Sequence, residues 1–248
     1  MLFGVRLPGQ GAAHNGMAAG LFTISAIDPH DPLLAASPLD HPIFRESIHL
    51  IRAALEPTGV YARFPDPAER DVLERLVHSS GDLTLPADLV IASGACQAGL
   101  AAVAAGVPIL TDTAMAAAAV APMARRTFAN PVHNVLVWAP PQAPAGSTRA
   151  AAGMQRALAE HPGAVVLIGS APTALEVLLE AVHSGAPAPA LVIGMPVGFV
   201  GVAESKRHLA ASGLAQIRLD GSRGGAGLVA AALNALLRRA WLLQATAT

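Results

Sequence analysis

Chemistry in this sequence starts with His78. It stands in the run Arg75-Leu76-Val77-His78-Ser79-Ser80-Gly81-Asp82, and an imidazole can donate a proton near neutral pH. A histidine at a helix end is also what the helix dipole favours, so spacing alone leaves a catalytic and a capping reading open. The Gly-rich run Gly221–Gly227 precedes an apolar helix, expected over Leu228–Leu243. Such a junction can seat an anion on backbone N–H groups. It lacks the Lys-Ser/Thr ending of a phosphate loop, and it follows the last strand rather than the first, which argues against a nucleotide. In Ser147-Thr148-Arg149, Ser147 is a natural N-cap and Arg149 falls in the first helical turn. A cation there opposes the helix dipole, which points toward an anionic partner. Glu204-Ser205-Lys206 also opens a helix, and Lys206 is the only lysine. Taken alone, both segments also read as solvated surface. There is no Ser-His-Asp elbow, no His-Glu-x-x-His and no paired carboxylates.

The elements that must position these residues follow from apolar periodicity. Ile43, Ile48, Ile51 and Leu55 predict a helix from Pro42 to Leu55. A second runs from Pro67 to His78, with Asp66 as N-cap before the proline. Beyond it, short apolar runs alternate with Ala/Leu-rich helical segments. The runs are Leu89–Ala92, Pro108–Thr111, Val132–Trp138, Ala164–Ile168, Ala190–Ile193 and Gln216–Leu219. Continuous Val/Ile/Leu strands suit a parallel sheet covered on both faces, and the alternation predicts a doubly wound α/β fold. Ligands in such folds bind beyond the carboxyl ends of the strands. Chemistry should therefore sit in the post-strand loops around Ser93-Gly94, Thr111-Asp112-Thr113, Gly169-Ser170, Gly194–Phe199 and Asp220–Gly225. Residues 1 to about 40 are rich in Gly, Pro and Ala without a period. They read as an N-terminal extension of partly disordered composition, leaving 41–248 as a single domain.

Bulk properties narrow the class. A net charge of -1 gives no reason to expect nucleic acid. Charged residues make up only 13%, so the surface is unusually apolar and an oligomer interface is expected. The single Cys96 excludes an intrachain disulfide and a cysteine-based zinc site. The uncharged stretch Leu89–Thr111 is broken by Gly94, Gly99, Gly106 and Pro108, so it parses as strand, helix and strand rather than a membrane span. The first 27 residues do not read as a signal peptide. A cytoplasmic protein without a membrane partner is the expectation.

Several of these segments, in order, resemble the precorrin-8X methylmutase family, which includes the cobalt-precorrin-8 methylmutases. His41-Pro42-Ile43 with Glu46-Ser47 and Ile51-Arg52 is similar to the family's opening helix, and Arg75–Asp82 to its catalytic segment, whose histidine falls on His78. Pro108–Met115, Ser147–Ala152 and Ile168–Leu175 follow. The most specific run is Gly194-Met195-Pro196-Val197-Gly198-Phe199-Val200-Gly201 through Lys206, and Arg223-Gly224-Gly225 completes the set.

The resemblance implies a three-layer, flavodoxin-like fold and a homodimer with its sites near the interface. It implies an isomerase of cobalamin biosynthesis that needs no organic cofactor or metal. Its substrate would be a tetrapyrrole, precorrin-8X or cobalt-precorrin-8. A [1,5]-sigmatropic methyl shift at ring C would give hydrogenobyrinic acid, with His78 protonating the ring-C nitrogen. Ser47, Thr113, Arg149, Ser170, Thr173, Gly198, Lys206 and Arg223 would bind the substrate. The chain departs from the family pattern at Ala114 (often Arg), Ser170 (commonly Asn), Ala226 (usually Ser) and Ile48 (often aromatic), each read as a lost polar or stacking contact. Those departures motivate an alternative, a diverged member that binds a tetrapyrrole without isomerising it.

Overall fold

Proline and a side-chain cap start the first two helices. The computed structural model describes residues 37–247. In it α1 (Pro42–Leu55) begins where the His41 imidazole accepts the N–H of Ile43. α2 (Pro67–Ser80) begins where Asp66 accepts the N–H of Ala68. Gly81, at φ 66°, ends α2 in the left-handed conformation a side chain would resist. After these come β1 (Leu89–Ile91), α3 (Ala95–Ala104), β2 (Ile109–Thr111), α4 (Ala114–Arg126), β3 (Val132–Asn134) and α5 (Arg149–Glu160). The chain continues through β4 (Val165–Ile168), α6 (Pro172–His183), β5 (Leu191–Gly194), α7 (Val202–Ala211), β6 (Gln216–Leu219) and α8 (Ala226–Ala247).

The six strands lie in the order β1-β6-β5-β4-β2-β3. All neighbours are parallel except β1, which runs antiparallel on the β6 edge. Without β1 the order is that of a flavodoxin-like sheet, whose direction of winding reverses between β2 and β4. Side chains alternate between the two faces. Val165, Leu167, Leu191, Ile193 and Ile217 pack toward α2, α3, α4 and α8, with α1 outermost. Leu110, Val166, Ile168 and Val192 pack toward α5, α6 and α7. α8 is long and apolar enough to cross a membrane, yet 67% of that stretch is buried as the central helix of the first face.

Three expectations need correcting. The strand expected over Val132–Trp138 stops at Asn134, whose side chain accepts the N–H of Leu136 and turns the chain into a 3-10 turn. The last helix starts earlier than Leu228, at Ala226. Asp40, assigned to the extension, is buried and both its carboxylate oxygens accept from Arg238 of α8, so the packed fold begins before residue 41. Residues 1–36 of the expected extension lie outside the described residues.

Candidate functional site

The α1–α2 pair presents His78. The two helices run antiparallel, and Arg52 of α1 makes a two-pronged ion pair with Glu74 of α2 at 2.9 and 3.0 Å. Tyr61 donates to the same carboxylate at 3.1 Å. Burial raises the pKa of Glu74, and the Arg52 contact opposes that rise. This clamp fixes how α1 lies on α2, and one consequence is a 2.7 Å contact between Ser47 Oγ and His78 Nδ1. A hydroxyl can donate or accept, so Ser47 serves the imidazole in either protonation state and leaves Nε2 for a ligand. Phe44 meets the imidazole edge to face at 5.1 Å, and the Arg75 guanidinium lies 4.6 Å from the centroid of the Phe44 ring. Burial, and secondarily the charge of Arg75, lower the His78 pKa below its ordinary value. A groove of about 240 Å³ opens beside these residues, lined by Ser47, Leu50, Ile51, Ala54, Val77, His78, Gly81 and Leu83.

The segment after His78 is tied to the carboxyl end of the sheet. Arg223, in the β6–α8 loop, donates to Thr84 at 3.0 Å and pairs with Asp82 and Asp88 at 3.3 and 3.5 Å. Lys206 holds the same loop from beneath. Its side chain is 1% exposed, and Nζ donates to the carbonyls of Gly221 at 2.9 Å and Arg223 at 2.6 Å. Burial pushes its pKa down to about 8. Gly198 donates its N–H to Ser222 O, and Gly225 to Met195 O, so the β5–α7 and β6–α8 loops form one platform.

A second set of polar residues gathers where the winding reverses. Asp112, just past β2, is 1% exposed and accepts the N–H groups of Gly169 at 3.1 Å, Ser170 at 2.6 Å and Ala171 at 2.8 Å. Burial raises its pKa, opposed by those N–H donors. Around it stand hydroxyls: Thr113, which caps α4 by accepting from Ala116, the exposed Ser170, and Thr173, whose Oγ1 lies 2.7 Å from Thr148 Oγ1. Among the described residues, no three His, Cys, Asp or Glu side chains converge as a metal would require.

The structure thus pairs Ser47 with His78, groups Thr113, Ser170 and Thr173, and joins Gly198, Lys206 and Arg223 in the loop platform. Several readings of individual residues change. Lys206 is not solvated surface: its side chain is buried, and its ammonium donates to two loop carbonyls. Arg223 is 42% exposed but already faces two carboxylates. The cap of α5 is Thr148, not Ser147. Arg149 stays exposed, with Nε donating to Pro140 O at 2.9 Å. Ile48 is a core residue, so an aromatic there would pack inward rather than stack on a ligand. Sequence reasoning gave Asp112 no role beyond its place in a post-strand loop, and missed Phe44 and the groove residues Leu50 and Leu83. For Asp112 a signal existed: a carboxylate directly after an apolar strand in a chain with few charges.

Fold and site together define a flavodoxin-like α/β protein with a histidine-bearing apolar groove beside its strand-end loops. The family model for precorrin-8X methylmutase matches residues 42–239, and the chain belongs to that family, whose members are isomerases of cobalamin biosynthesis. It is 43% identical over 200 residues to the precorrin-8X methylmutase of Pseudomonas aeruginosa, spanning 78% of this chain and 93% of that protein. It is 35% identical over 218 residues to the cobalt-precorrin-8 methylmutase of Synechocystis, spanning 82% and 98%. The crystal structure of precorrin-8X methylmutase from Thermus thermophilus superposes with a TM-score of 0.71 at 39% identity, covering 80% of this chain and 95% of that one.

Proposed function

We propose that this chain converts precorrin-8X to hydrogenobyrinic acid by shifting a methyl group at ring C, with His78 as the general acid. The observation that carries this reading is the Ser47–His78 contact at 2.7 Å beside an apolar groove. It fixes the imidazole by Nδ1 and leaves Nε2 to protonate a ring nitrogen. Protonation makes the macrocycle electron-poor, which eases migration of the methyl group. A lowered pKa makes the imidazolium, once formed, a stronger acid.

The groove is smaller than the roughly 300–1,000 Å³ usual for sites that enclose drug-sized ligands, and a tetrapyrrole is larger than most of these. We read it as half of a site that a second copy completes in a homodimer. Phe199 and Val200, 94% and 89% exposed on the β5–α7 loop, and the exposed Met115 and Val137 support an apolar contact face. Light scattering should give twice the 25.1 kDa chain mass at micromolar concentration; a monomer there rules out the shared site. The protein would work in the cytoplasm.

Incubation with precorrin-8X, followed by visible absorption, tests the reaction. Conversion to hydrogenobyrinic acid is expected. A bound spectrum without conversion overturns the isomerase reading in favour of a non-catalytic tetrapyrrole binder.

A further inference from the structure

Flavodoxin-like folds take anionic ligands at the switch point, on N–H groups left free after the strands. Here that seat is filled from within. Asp112 spans from the end of β2 to the start of the β4–α6 loop, 57 to 59 residues on, and receives three consecutive backbone N–H groups. No Lys or Arg pairs with it among the described residues. A buried carboxylate without a cation is an expensive way to close a loop, but it fixes the directions of three amides at once. The placement then propagates. On its other side Gly169 abuts the first residue of α8 so tightly that a Cβ would come within 2.6 Å of Ala226 N, and its carbonyl accepts the N–H of Val197. Ser170, Thr173 and, through the 2.7 Å hydroxyl contact, Thr148 all stand on the segment that Asp112 holds.

We propose that Asp112 is a positioning residue for the substrate: its carboxylate occupies the switch-point amide cradle as an internal anion and so sets the rim of Thr113, Ser170 and Thr173 that receives the ligand's carboxylates. This rests on the tetrapyrrole reading above. A free phosphate or nucleotide cannot share the cradle, and the macrocycle lies across its rim rather than within it.

Asp112→Ala empties the cradle for an external anion, and formate is the probe. In the dimeric enzyme the variant should show a KM for precorrin-8X, and a dissociation constant for hydrogenobyrinic acid, raised about tenfold or more, as expected for hydrogen bonds to charged groups lost at a rim. Its kcat should stay within a few-fold of wild type. Formate should restore affinity and raise the melting temperature; the bulkier benzoate should do neither. Unchanged affinity, or kcat lost with no formate response, overturns the proposal. If Asp112→Ala does not fold, Asp112→Asn decides: raised KM at near-normal kcat supports the role, and wild-type constants or a loss confined to kcat refute it. Wild-type protein that neither converts precorrin-8X nor binds hydrogenobyrinic acid overturns the substrate assignment and the positioning role with it. In that case formate still raising the melting temperature of Asp112→Ala identifies the substrate reading as what failed.

Discussion

The two polar regions of this molecule are built on opposite plans. At the switch point, a carboxylate and three amides satisfy one another, and only hydroxyls remain at the surface. On the α1–α2 pair, a single imidazole, steadied by one serine, stands beside an apolar groove left open among the described residues. Among the described residues, the first region is closed and the second is open. On the proposed reading, the difference teaches that a fold's habitual ligand crevice can serve as a rigid support while the chemistry moves to a flanking helix pair. Which region carries reactivity and which carries grip can be separated by mutation.

The largest effect is expected at His78. His78→Ala should leave the fold intact, because the side chain is partly exposed at the end of α2 and the clamps at Glu74 and Asp40 remain. It should lower kcat by about 10²–10⁴, the usual range for a general acid. Affinity for hydrogenobyrinic acid should change little. Near-normal turnover would break the division of labour, since the reactive region would then lack its reactive group.

How much of this was legible in the sequence depends on how local the determining forces are. Asp66-Pro67 announced the start of α2 because caps act within a few residues, whereas the expected end at His78 falls two residues short of Ser80, where Gly81 stops the helix. The strands were placed within a residue or two wherever both faces are buried. β3 was overextended because it is an edge strand ended by one Asn134 side chain. His78 stood out through its motif, but its contact with Ser47 joins residues 31 apart on two helices and leaves no local trace. Lys206 read as surface on local pattern alone, and as a substrate contact only through the family resemblance. Its burial depends on carbonyls supplied 15 and 17 residues later. Asp112 was passed over as a loop residue because its partners are backbone amides, which every residue but proline possesses.

A second test asks whether the ligand spans both regions. Ala114 is exposed at the first position of α4, beside Thr113 at the switch-point rim. Ala114→Arg should add a bidentate clamp for a carboxylate. Well-made charged hydrogen bonds contribute ~1.5–3 kcal/mol, so hydrogenobyrinic acid should bind roughly ten- to a hundredfold more tightly. A cation at a helix start opposes the dipole by ~0.3–1 kcal/mol, too little to cancel the gain. Unchanged or weaker binding in titration, with the melting temperature preserved, would mean that the ligand's carboxylates do not reach the rim, and that the two regions act on different parts of the substrate or on different substrates.

The smallest effect is expected at Arg75, and it probes the electrostatics of the open region. Arg75 lies one helical turn before His78, its guanidinium over the Phe44 ring that meets the imidazole. Burial is the main cause of the lowered His78 pKa, and the Arg75 charge adds to it. If protonated His78 is the acid, kcat/KM must fall as pH rises through that lowered pKa in the free enzyme. Arg75→Gln removes the repelling charge, so the imidazolium persists to higher pH. The falling limb should therefore shift toward higher pH, and activity above neutrality should rise slightly while the low-pH plateau stays near wild type. Arg75→Lys keeps the charge and should leave the limb in place, which separates electrostatics from loss of the contact with Phe44. A limb that stays put in Arg75→Gln, or moves to lower pH, would mean that the titration limiting the rate is not that of His78, and the acid would have to be sought outside the α1–α2 pair.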